Sequence, residues 1–82
     1  MTFTERNKTI SELLNDFQAM HDKYTSSTRI MTDDEWTEYV NAMTARVNGF
    51  KRTNLYNIAS ALWMAFLDDT EYVQKELRKI HD

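Results

Sequence analysis

Hydrophobic positions along the chain recur at helical spacing in three separate stretches. In the first, Ile10, Leu13, Leu14, Phe17, Met20 and Tyr24 follow at steps of three, one, three, three and four. That rhythm places them on one narrow stripe of an amphipathic helix over about Thr4 to Tyr24. Glu5, Lys8, Glu12, Asn15 and Asp22 fall on the opposite face. The run Thr25-Ser26-Ser27-Thr28 should end this helix, because small hydroxyl side chains compete for backbone hydrogen bonds.

The second stretch has the clearest start signal. Thr32 is followed three residues later by Glu35, the pattern of a capping box. Met31 before the cap and Trp36 at the fourth helical position form the matching hydrophobic staple. Asp33, Asp34 and Glu35 sit in the first turn, where negative charge suits the helix dipole. The buried stripe reads Trp36, Tyr39, Val40, Met43 and Val47, and the helix spans Asp33 to Asn48. Gly49, the one glycine, stands where a left-handed C-terminal cap is expected, with Phe50 as its hydrophobic contact.

The third stretch begins near Thr53 or Asn54, either of which can cap a helix. From Leu55 to Leu67 only Asn57 and Ser60 are polar. Ile58, Leu62, Leu55, Phe66, Ala59, Trp63, Tyr56 and Leu67 cover an arc of roughly 180°. So wide an arc predicts a central helix that touches two neighbours, with Trp63 and Tyr56 in the core. The remaining face, Asn57, Ser60, Ala61 and Met64, is small and weakly polar. Asp68-Asp69-Thr70-Glu71 resembles a new helix start, capped by Asp68. Val73, Leu77 and Ile80 nevertheless keep the phase of Leu55, Leu62 and Phe66. One continuous helix of about 27 residues, roughly 40 Å long, is therefore preferred over a break at Asp68. The expected fold is a single all-α domain over residues 1–82, a small three-helix bundle with a long C-terminal helix. Connections of about eight and five residues suit antiparallel neighbours.

Composition narrows the picture. Among 82 residues there is one glycine, no proline and no cysteine, which argues against a turn-rich β fold, a disulfide framework or a thiolate zinc cage. The first residues, Met1 to Arg6, are polar and mixed in charge, unlike a signal peptide. The longest apolar run, Ala61 to Leu67, is far shorter than the roughly 20 residues of a membrane span. A cytoplasmic location and no membrane contact are expected.

Groups able to carry catalysis are sparse. His21 and His81 each lack a histidine or carboxylate at the spacing of a helical metal site. His21 reads as a partly buried helical residue, and His81 as a cation at a helix C-terminus. Asp34 with Glu38, and Asp68 with Asp69, read as solvated or capping groups rather than a catalytic pair. There is no nucleophile elbow and no glycine-rich phosphate loop. No enzymatic activity, metal, cofactor or small-molecule substrate is expected.

Charge is distributed unevenly. Between Tyr39 and Leu67 the only charges are Arg46, Lys51 and Arg52, a local +3 against a whole-chain −3, which leaves −6 on the remainder. In the same stretch Ala45, Gly49, Leu55 and Ile58 stand at offsets of 0, 4, 10 and 13. That spacing resembles the helix-turn-helix motif of DNA-binding proteins. The resemblance implies that Arg46, Lys51, Arg52, Thr53, Tyr56 and Asn57 would meet phosphates and base edges. Groove entry would further require the second and third helices to cross steeply.

Two functions fit these features. The preferred one is a small acidic, non-enzymatic interaction or regulatory protein that binds a protein partner or a second copy of itself, with Asn57, Ser60, Ala61 and Met64 as the contact face. The alternative is a DNA-binding regulator that uses the basic turn. The first expectation open to measurement concerns the cap: Thr32→Ala should cost about 0.5–2 kcal/mol by exposing orphan amides, seen as a lower denaturant midpoint.

Overall fold

The computed structural model describes residues 2–26 and 28–81, with the backbone alone for His81. The expectations for Ser27 and for the His81 side chain fall outside these. The described residues form three helices: α1 (Phe3–Thr25), α2 (Asp33–Asn48) and α3 (Tyr56–His81).

α1 starts at Thr2, whose side chain accepts a hydrogen bond from the Glu5 amide at 3.1 Å. It ends as its hydroxyl run predicts: Thr25 Oγ1 donates to the His21 carbonyl at 2.8 Å, and the Ser26 amide donates to the Asp22 carbonyl. α2 has the predicted bounds and both halves of its capping box. Met31 is buried, and Trp36 packs against the same core cluster.

α3 runs unbroken for 26 residues through Asp68, Asp69 and Thr70. No new helix starts at Asp68, so its expected capping role is absent. The preserved phase of Val73 and Leu77 outweighs the local start signal. Ile80 leaves the core and is 76 % exposed. The start differs slightly from expectation. Thr53 Oγ1 accepts from the Leu55 amide at 3.2 Å, but the first helical bond runs from the Ala59 amide to the Leu55 carbonyl.

Side-chain pairs fix the directions of the helices. Phe17 meets Phe66, His21 meets Asp69, and Gln74 meets the Tyr24 carbonyl, so α1 and α3 run parallel. Tyr39 meets Thr70, and Asp33 and Trp36 share a groove with Arg78, so α2 runs antiparallel to α3. α3 is the central element, as its wide apolar arc predicts. The molecule measures 50 × 18 × 14 Å. Its core holds Leu13, Phe17, Met31, Tyr39, Met43, Val47 and Ala59.

Two fully buried positions in α3 are polar. The Thr70 hydroxyl, 0 % exposed, bonds the Phe66 carbonyl at 2.9 Å and the Tyr39 hydroxyl at 2.8 Å. Gln74, 3 % exposed, uses both ends of its amide. Its Oε1 accepts from the Met31 amide at 2.8 Å, and its Nε2 donates to the Tyr24 carbonyl at 3.3 Å. One side chain thus pins the end of α1 and the approach to α2.

The expected left-handed cap at Gly49 is not formed. Gly49 has φ −62°, an ordinary right-handed value, and the left-handed residue is Arg52 at φ 67°. The reason lies in the turn. The Phe50 and Lys51 amides each donate to a carbonyl three residues back, so the chain leaves α2 through tight right-handed turns, and the Thr53 amide then closes a turn on the Phe50 carbonyl across Arg52. Phe50 packs against the core on the way, and the reversal is deferred to Arg52. The connections are each seven residues long rather than eight and five.

A left-handed cap would make Gly49→Ala destabilising, and this turn reverses that expectation. A Cβ at Gly49 would stand 3.4 Å from the Arg46 carbonyl oxygen, an ordinary contact. Gly49→Ala should therefore stabilise by about 0.4–1 kcal/mol instead of destabilising. Arg52→Gly should relieve about 1 kcal/mol of left-handed strain. Gln74→Leu should cost about 2 kcal/mol or more, because it orphans a buried amide and a helix-end carbonyl together. Denaturant midpoints of the three variants test the assignment.

Candidate functional site

The outer face of α3 is the surface that neither α1 nor α2 covers. Asn57, Ala61 and Met64 are exposed there, Met64 at 46 %, and Ser60 is half-buried beside them. Ala65 is exposed one turn beyond Ala61, and Tyr72, 60 % exposed, extends the face toward the C-terminus. The face exists because the opposite arc is fully used: Leu55, Ala59, Thr70 and Gln74 point inward at steps that keep helical phase. Over the first three turns of α3 the outer face carries no charge.

The residues of the DNA reading lie around the turn between α2 and α3. Lys51, Arg52, Thr53 and Asn57 are exposed, and Tyr56 is 36 % exposed, so the indoor role expected for its ring is not what it has. Arg46 is engaged elsewhere, in an ion pair with Asp16 of α1 that ties α1 to α2. Thr53 Oγ1 is used within the turn, donating to the Phe50 carbonyl at 2.7 Å. α2 and α3 lie side by side and antiparallel rather than crossing steeply.

His21 forms a junction that its sequence neighbourhood does not reveal. Its Nε2 lies 2.6 Å from Asp69 Oδ2, on α3, and Asp22 Oδ1 is 3.6 Å from its Nδ1. The ring also meets Phe66, with centroids 5.2 Å apart. Asp69 is far from His21 in sequence, so no local spacing could show the pair. Among the described residues no group of three or more histidines and carboxylates could hold a metal ion. Trp63 is half-buried, and its indole N–H is enclosed without an acceptor.

A groove of about 310 Å³ lies between the start of α2 and the last turns of α3, lined by Asp33, Trp36, Glu71, Gln74, Lys75 and Arg78. It carries charges of both signs, and Lys75 pairs with Glu71 at 3.2 Å. The Gln74 amide is already satisfied at both ends. The lining contains no histidine and no hydroxyl group.

Besides Arg29, whose guanidinium is raised by its hydrogen bond to Glu35, two titrating groups are displaced by their surroundings. Hydrogen bonding to Arg29, helped by the Thr32 amide, lowers the Glu35 carboxyl to about 2. Burial pushes the Tyr39 phenol above its ordinary value, against the opposing effect of its hydrogen bond with Thr70. Both belong to structure: one closes the capping box of α2, and the other packs α2 on α3.

No helix among the described residues is long and apolar enough to cross a membrane. Comparison with protein-family models, curated proteins and solved structures finds no match.

The Glu35 arrangement gives a pH prediction with a definite sign. Its folded value lies below the ordinary carboxylate value of 4.5, so its support of α2 is complete at neutral pH. That support should fade as pH falls from the carboxylate range through about 2. Melting midpoints followed down the acid range should fall less steeply in Glu35→Gln than in the parent chain.

Proposed function

We propose that this chain is a small non-enzymatic interaction protein of regulatory type, which associates with a second copy of itself through the outer face of α3. One observation carries the reading: Asn57, Ala61 and Met64 are open to water on a helix face without charge. A solvated helix face ordinarily carries charged residues, as the outer face of α1 does with Glu5, Lys8, Glu12 and Asp22. Small residues on such a face let another helix approach closely, and Met64 supplies an adaptable apolar contact. The molecule is also small enough that association is a common source of added stability. A cytoplasmic setting goes with this reading, supported by the cysteine-free composition.

The DNA reading retains one support, the exposed cations Lys51 and Arg52 beside Asn57. The antiparallel packing of α2 on α3 and the net charge of −3 favour the interaction reading over it.

Light scattering across a protein and salt series, with and without random duplex DNA, separates the two. The interaction reading expects a particle near twice the 9.8 kDa chain mass at micromolar protein. Met64→Lys should return that particle to the monomer mass while leaving helicity by circular dichroism unchanged. A monomer at all concentrations overturns the reading. Duplex binding whose logarithm falls with a slope of about −0.9 per phosphate contact against log salt would support the DNA reading instead.

A further inference from the structure

We infer that the second copy docks antiparallel on the first, about a two-fold axis passing near Ala61, so that the Lys51–Arg52 turn of each copy faces Asp68 and Glu71 of the other. The inference rests on the self-association reading and adds its geometry.

An isologous dimer requires one surface that is complementary to itself: whatever lies a given distance to one side of the axis must suit what lies at that distance on the other. The outer face of α3 meets this condition in charge. Ala61 and Met64 lie in its uncharged middle. Asp68 and Glu71 are seven and ten residues beyond Ala61, both exposed and on the same side of the helix. Lys51 and Arg52, ten and nine residues before Ala61, are exposed in the turn that leads into the helix. Rotation by 180° about Ala61 therefore exchanges a basic end for an acidic end, and does so at both ends at once. A parallel arrangement would set like charges together at both, which is unfavourable.

The middle of the face has the right shape for the axis. Ala61 is the small residue at closest approach, and Asn57 of one copy falls opposite Ala65 of the other. The pairing also gives the cations an occupant. Lys51 and Arg52 have no ion-pair partner among the described residues, and neither has Asp68. Glu71 is already paired with Lys75, so Asp68 is the acidic residue on which the contact turns.

The chain has no cysteine, so introduced thiols report the geometry directly. Single-cysteine variants Asn57→Cys, Ala61→Cys and Ala65→Cys are oxidised at a concentration where the mass is that of a dimer. The antiparallel arrangement expects Ala61→Cys to link to itself, and Asn57→Cys to link to Ala65→Cys in a mixture. Asn57→Cys should not link to itself, since its two copies stand about 12 Å apart along the axis at 1.5 Å per residue, beyond the reach of a disulfide. Sedimentation adds the charge test. Asp68→Lys and Lys51→Glu should each raise the dimer dissociation constant about tenfold, because each change acts twice across the two-fold, and together they should restore it. Added salt should weaken the parent dimer.

Self-linking of Asn57→Cys without the mixed link overturns the antiparallel arrangement and leaves self-association standing. A dimer indifferent to salt and to both charge variants likewise overturns it alone. A chain that remains monomeric by mass removes the association reading and this inference together.

Discussion

The buried amide of Gln74 holds together what the helices cannot hold by apolar packing alone. α1 and α2 meet each other less than either meets α3, so the loop between them needs an anchor. Gln74 supplies it from the third helix, bonding the Tyr24 carbonyl at the end of α1 and the Met31 amide before the cap of α2. A buried polar side chain is costly unless it is satisfied, and this one is satisfied at both ends. The position of α2 then follows. Met31 enters the core, Thr32 and Glu35 close the capping box, and Tyr39 comes within reach of Thr70.

Periodicity made the three helices legible, together with the exact bounds of α2 and the continuity of α3. These are features in which local signal and packing agree. The cap of α1 was equally legible, since Thr2 and Glu5 repeat the spacing of Thr32 and Glu35, but it lies outside the stripe-based start at Thr4. Gln74 and Thr70 were not legible as core. A polar residue in the centre of a buried stripe reads as an interruption until its partners, on other helices, are known. The His21–Asp69 junction is hidden for the same reason. Gly49 misled because a glycine after a helix is the usual mark of a left-handed cap. Here the packing of Phe50 carried the reversal on to Arg52. Of the four residues the wheel left over, Asn57, Ala61 and Met64 stand exposed, and Ser60 is half-buried beside them.

α3 is two helices in character though one in backbone. Its first half is apolar inside and uncharged outside; its second half is partly polar inside and charged outside. The change falls at Asp68, where the sequence carries a start signal that the structure does not use. Hydrophobic phase across the junction overrides that signal, since Val73 and Leu77 keep to the half-buried side. The result is a single rod that presents two different surfaces along its length.

The placement of Gln74 on α3, after both helices it anchors, also shapes how this protein is made. During synthesis α1 and α2 emerge first, with few contacts of their own to hold them. Their loop is tied down only after the residue that anchors it has followed. Short helical hairpins of this kind form and dissolve rapidly on their own. Folding therefore waits for α3, and the nascent chain exposes Phe17, Tyr39 and Met43 until it arrives. Across the 26 residues of α3 the wait is a few seconds at ordinary elongation speed, roughly 5–20 residues per second. In that interval chaperones and proteases compete with the completion of the core.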